Sequence, residues 1–143
     1  MSIMLKSKIA AAGIAAAMAA VPAGAVAGQH GQARATSASA TVDWQIPLKG
    51  SRAYPWANGS AQYQSQPGQR ELQVEVEHIR SLAGKGVVFS AAGMTLGRAT
   101  VSASGLADIT RNTELGQTVP SIVHGSTVTV RTVGGTLIVS GRF

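Results

Sequence analysis

Leu72, Val74 and Val76 alternate with Glu71, Gln73, Glu75 and Glu77, and this period of two is what most limits the folds open to the chain. Successive side chains of a strand point to opposite faces, whereas a helix groups them every 3.6 residues, so the pattern specifies a strand with one dry and one wet face. The same alternation, broken by Gly and Pro, runs from Thr41 to Phe143, and no window carries a helical stripe. Over Thr41 to Ile46, Val42, Trp44 and Ile46 alternate with Asp43 and Gln45; over Ser60 to Ser65, Ala61 and Tyr63 alternate with Gln62 and Gln64. Pro67-Gly68 then turns the chain into the Leu72 strand. Ile79 and Leu82 fall out of register, which sets a bulge or strand end near His78.

Val87 to Ser90 is a short apolar run suited to a buried strand, and Ala91-Ala92-Gly93 closes it onto Met94 to Ser102. A three-residue loop, Ala103-Ser104-Gly105, then pairs Val101 with Ala107 and Ala99 with Ile109. Near the end of the chain a Gly134-Gly135 turn sets Val130 against Val139 and Val128 against Gly141, which gathers the apolar residues on one face and leaves Val133 and Ile138 as exceptions near the tip. About eight short strands in roughly 100 residues predict an all-β fold, an antiparallel sandwich or small barrel, and the one-sided faces favour the sandwich.

Ahead of this domain, Lys6 and Lys8 precede an apolar stretch from Ile9 to Ala20, Pro22 breaks it, and Ala25-Val26-Ala27 supplies a small-x-small cleavage site. That is the pattern of a signal peptide over 1–27. Left uncleaved, Ile9 to Ala27 approaches a membrane anchor in length, but Ala and Gly dominate it and no charged stop-transfer cluster follows. Residues 28–40 (GQHGQARATSASA) read as a flexible low-complexity tether, and 41–143 as a single β domain. A chain of that length buries a core without covalent staples, in keeping with its lack of Cys. The expected location is secreted or periplasmic.

The formal charge of +6 falls to +4 when Lys6 and Lys8 leave with the leader. The remaining basic residues are dispersed rather than blocked, which argues against nucleic acid as a partner. A mildly positive surface suits anionic cell-surface polymers. His30, His78 and His124 share no metal-ligand spacing, and no G-x-S-x-G elbow is present, so no catalytic residue and no cofactor are assigned. One metal arrangement depends on cleavage: Gly28-Gln29-His30 would offer a free amine, two amides and an imidazole, nitrogens suited to Cu(II) or Ni(II) in a square plane. Glu71, Glu75 and Glu77 are spaced for cross-strand pairing with partners such as Arg98 or Arg131.

The longest connections, Pro47 to Gly59 with its Asn58-Gly59 turn pair and Asn112 to Gly125, are where a binding site would sit. Tyr54, Trp56 and Asn58 are the candidate contact residues, since aromatics beside Pro and Gly make rigid platforms for carbohydrate or protein. The competing expectation is that Tyr54 and Trp56 fold back to plug one end of the domain, because large aromatics are highly buried on average.

The last seven residues, Leu137 to Phe143, resemble the final strand of outer-membrane β-barrel proteins, which implies a small membrane barrel as one alternative. Such barrels need aromatic girdles and an outward apolar band, and the glutamates beside Leu72 do not suit that band. From Arg70 to Phe143, through RELQVEVEHIRSLAGK and GTLIVSGRF, the chain resembles small exported bacterial β-rich proteins of uncharacterised function. That resemblance implies a non-enzymatic role and carries no catalytic residues with it. The expectation is an exported binding or structural protein of the cell envelope or extracellular space, partnered by a cell-surface polymer or another exported protein. Membrane contact is expected only through an uncleaved leader. The alternatives are a Cu(II)- or Ni(II)-binding protein acting through residues 28–30 and the membrane barrel.

Overall fold

The computed structural model of the chain describes residues 40–143. The leader, nearly all of the tether and the Gly28-Gln29-His30 arrangement lie outside the described residues. The domain is all-β, with strands β1 (Val42–Gly50), β2 (Asn58–Gln66), β3 (Gln69–Glu77), β4 (Gly86–Ala91), β5 (Met94–Thr100), β6 (Ala107–Asn112), β7 (Thr127–Thr132) and β8 (Leu137–Arg142). They form one antiparallel sheet in the order β5-β4-β7-β8-β1-β2-β3-β6. The sheet curls until its two edges meet, where the Arg111 guanidinium of β6 donates to the Leu96 carbonyl of β5. The one-sided faces therefore belong to a nearly closed barrel, one of the two expected architectures, and not to the sandwich. Alternation is the same in both, and it is closure that gives the inward residues a common interior.

Register stacks that interior in layers. Trp44, Tyr63, Leu72 and Arg111 share one row across β1, β2, β3 and β6; Ile46, Ala61, Val74 and Ile109 share the next; Leu48, Gly59, Val76 and Ala107 share the third. Val87 and Phe89 of β4, Val128 and Val130 of β7, and Val139 of β8 fill the other half, all fully buried. One end is closed by Ala57, Ile79, Leu82 and Val101, the other by Val119 and Ile122 from the long connection after β6. This end-capping is what that connection does for the fold. A short 3-10 turn, Thr113–Leu115, begins it, with the Asn112 side chain accepting the Glu114 N–H.

Several local expectations are corrected. β1 does not stop at Ile46 but runs through Pro47 to Gly50. β8 pairs with β1 only at Lys49 and Gly50, so one side of β1 lies outside any ladder at Pro47, and the missing N–H is tolerated there. Asn58-Gly59 is no turn; it opens β2, and the residue at 59 must be Gly because a Cβ there would drive into the Glu75 carbonyl of β3. The β4–β5 connection is the two-residue pair Ala92-Gly93, both at positive φ (49° and 78°), the geometry whose twist matches a hairpin.

The Ala103-Ser104-Gly105 turn forms, with Leu106 N–H to the Ser102 hydroxyl and Ser102 N–H to the Leu106 carbonyl, but it does not lead into a hairpin. β6 pairs instead with β3, setting Val74 against Ile109 and Val76 against Ala107. The Ile109 and Arg111 side chains occupy the space beside Gly97 and keep the β5 and β6 backbones apart. In the last hairpin Val130 faces Val139 and Val128 faces Gly141 as expected, while a register shift at Val130/Arg131 sets Arg131 against Leu137. The shift explains the two exceptions near the tip: Ile138 turns inward and is fully buried, and Val133 is left outside.

The glutamates of β3 also find other partners than arginine. Glu71 accepts from the Asn112 amide at 2.8 Å, and Glu75 faces Ser60 on one side and Asp108 on the other. Partial burial, then the neighbouring Glu77 and Asp108 carboxylates, raise the Glu75 pKa above 4.5. A folded-state carboxyl with a raised pKa holds its proton where the unfolded chain has lost it, so stability falls as pH rises through that interval. Glu75→Gln is therefore expected to raise the thermal midpoint at pH 7, and the gain should fade as pH falls through 4.5, where the unfolded chain also takes up the proton. Paired melting curves at pH 7 and pH 4 check this; an equal gain at both would assign the effect to packing.

Candidate functional site

The 51–57 loop is held from its first residue. Ser51 donates its N–H to the Ile138 carbonyl at 2.8 Å and its hydroxyl to the Leu137 carbonyl at 2.6 Å, which pins the loop to β8. Tyr54 N–H donates to the Ser51 carbonyl at 3.1 Å, and Ala57 N–H to the Tyr54 carbonyl at 3.0 Å. These bonds fold the loop back over Gly50, where a Cβ would collide with the Tyr54 carbonyl and lie 2.5 Å from the Ala57 carbonyl oxygen.

The consequence is an unusual division of labour between neighbours. Ala57, not an aromatic, enters the core, at 4% exposure, and Trp56 stands outside at 85%. Tyr54 is half-buried and packs against the core cluster. Of the two aromatics expected to plug this end, Tyr54 contributes partly and Trp56 not at all. Asn58 is exposed at the start of β2, and its side-chain oxygen lies 2.5 Å from Nδ1 of His78, a residue at φ 61° just past the end of β3.

Beside the loop lies a groove of about 480 Å³, lined by Tyr54, Leu82, Lys85, Thr132, Val133 and Thr136. Its volume falls within the range of small-ligand sites, about 300–1,000 Å³. Val133 is 56% exposed at the tip of the β7–β8 hairpin, and the Arg131 guanidinium donates to the Gly135 carbonyl across that tip. Lys85 is the one cation in the groove lining; Arg131, bonded at the adjoining hairpin tip, and Arg52, on the 51–57 loop, are likewise exposed. Leu82, Lys85 and Val133 were not among the candidate contact residues. Leu82 and Val133 had a signal in the sequence, as apolar residues that broke the alternation around them; Lys85 had none.

At the opposite end Trp44 lies amid Tyr63, Phe143 and the exposed His124, whose ring is centred 4.7 Å from the indole. This cluster closes the barrel over the Trp44 layer, and its aromatics pack on the core rather than standing free. A shallower hollow of about 330 Å³ on the outside of β1 and β2, lined by Gln45, Pro47 and Ser60, holds no aromatic or charged side chain. His78 and His124 sit at different ends, and among the described residues no three His, Cys, Asp or Glu side chains are grouped to hold a metal ion. No helix among the described residues is long and apolar enough to cross a membrane. No protein-family model, no curated protein and no solved structure matches the chain.

Proposed function

We propose that the chain is an exported, non-enzymatic binding module of the cell envelope or extracellular space, and that it meets its partner through the barrel end built by Tyr54, Trp56, Asn58 and the adjoining groove. The observation that carries this reading is the 85% exposure of Trp56 on a loop whose backbone is tied by hydrogen bonds. An aromatic held rigidly in water contributes contact area at little entropic cost on binding. Leaving it exposed brings the fold no stability. The outward residues of β2, β3 and β6, among them Gln62, Gln64, Gln73, Glu75 and Asp108, support a water-exposed barrel over a lipid-facing one.

Trp56→Ala is the direct test. Since the side chain makes little contact with the core, the thermal midpoint should stay within about 2 °C of wild type, in line with a surface substitution of at most about 0.5 kcal/mol. Retention of the purified protein on envelope preparations from its own source should fall about tenfold or more, the loss expected of a central aromatic anchor. A sharp drop in melting temperature with unchanged retention would return Trp56 to a structural role.

A further inference from the structure

We propose that the groove beside the 51–57 loop, together with Trp56 on that loop, is a binding site for an anionic polysaccharide, a chain of sugar rings carrying carboxylate or phosphate groups; this rests on the contact surface argued above. Three features of the same barrel end converge on that chemistry. First, Trp56 offers a free indole face of the kind that a sugar ring covers with its C–H side, and Tyr54 sets a second aromatic at the groove wall. Second, the groove alternates apolar and polar surface, with Leu82 and Val133 beside Lys85 and the Thr132 and Thr136 hydroxyl-bearing residues, which matches a ligand that is itself apolar on its ring faces and polar at its edges. Third, the groove carries charge of one sign. Lys85 is in its lining and no carboxylate is, Arg131 is bonded to the Gly135 carbonyl at the adjoining hairpin tip and Arg52 lies on the 51–57 loop, while the six carboxylate residues of the chain, Asp43, Glu71, Glu75, Glu77, Asp108 and Glu114, belong to β1, β3, β6 and the turn after β6.

Of these acids Glu77 lies nearest this end, facing Asn58 on β3, with Glu75 and Asp108 one step further along the strands. None of them lines the groove, so Lys85 has no carboxylate beside it in the lining. Coulomb attraction alone would draw any polyanion. The groove and the exposed indole select among polyanions, because a phosphate chain without rings leaves Trp56 and Val133 uncovered. A bilayer surface would meet the Trp56 and Val133 tips but leave the groove empty.

The test is titration of the purified full chain with defined probes: polygalacturonate (ringed and anionic), dextran (ringed and neutral), polyphosphate (anionic without rings) and vesicles containing anionic phosphatidylglycerol. Polygalacturonate should bind more tightly than dextran or polyphosphate. Trp56→Ala should weaken it about tenfold or more at every salt concentration, as loss of an anchor residue does. Arg52→Gln with Lys85→Gln should weaken it several-fold at low salt, with the difference fading toward 1 M, where charges are screened beyond about 3 Å. Equal binding of polyphosphate, insensitive to Trp56→Ala, would overturn the proposal in favour of plain charge attraction. Binding to vesicles alone would assign the surface to membranes and likewise overturn it. If Trp56→Ala abolishes envelope retention while no polysaccharide binds, the contact surface stands and this ligand class falls; if it changes neither, both fall.

Discussion

Phe89→Ala is expected to cost about 3–5 kcal/mol of stability, the range for removing a buried phenyl ring. Phe89 is completely buried at the centre of β4, where it faces Val130 on β7 and Gly97 on β5. Gly97 has no side chain to move into the vacated space, and the room beside it is already taken by the Ile109 and Arg111 side chains reaching over from β6. The walls of a nearly closed barrel are tied by ladders on both sides of β4, so they relax little and much of the cavity persists. Against a total stability of about 5–15 kcal/mol for a domain, such a loss leaves the fold marginal. Urea unfolding followed by far-UV circular dichroism should show the midpoint falling with an unchanged slope. A loss below about 1 kcal/mol would mean that the interior collapses onto the ring's place, and the layered packing described for the barrel would be wrong.

The same residues show how much of this fold is legible in the sequence alone. In β3 the inward set Leu72, Val74 and Val76 is what the alternation demands, because burial and period act on the same nine residues. The β7–β8 register away from the tip is legible for a similar reason, since turn and side-chain pattern lie within one short stretch and constrain each other; at the tip the expected pairing of Thr132 with Leu137 gives way to Arg131 with Leu137. The closure of the barrel was not. It depends on β3 meeting β6 across the whole of β4 and β5, and a pattern of one-sided strands is identical whether the dry faces meet another sheet or the far wall of the same one. The β5–β6 turn misled because its local chemistry is that of a hairpin, while Arg111 and Ile109 decide from a distance that the backbones part.

The candidate site was half legible. Tyr54, Trp56 and Asn58 stood out as residues that no strand pattern absorbed, and all three do cluster at one barrel end. What the sequence could not tell was which neighbour goes inside, since average burial favours Trp over Ala. The answer lies in the turn: once Ser51 is bonded to β8 and the chain doubles back, position 57 faces the core at a place with room for a methyl group and position 56 faces water. Leu82, Lys85 and Val133 come from separate elements and meet Tyr54 only because β4 lies beside β7 and β8 beside β1, so the site depends on where the 51–57 loop is held.

That dependence makes Gly50→Ala the substitution with the largest expected effect on binding. The added methyl would press on the Tyr54 carbonyl, lie 2.5 Å from the Ala57 oxygen and 3.2 Å from the Pro55 carbonyl carbon, all of them backbone atoms that cannot swing aside as a side chain does. The strain must be relieved by lifting the loop, which breaks the Ala57-to-Tyr54 hydrogen bond and withdraws Ala57 from the core. Overpacking of this kind costs about 1–3 kcal/mol, so the barrel should still fold. Trp56, though chemically intact, would no longer be held in place on its loop, and binding should fall at least as far as in Trp56→Ala, about tenfold. The pairing of the two variants is informative because they fail differently: one keeps the loop and loses the indole, the other keeps the indole and loses the loop. If Gly50→Ala lowered the melting temperature yet bound as wild type, a flexible Trp56 would suffice, and the rigidity on which the contact surface has been argued would not be what the partner reads.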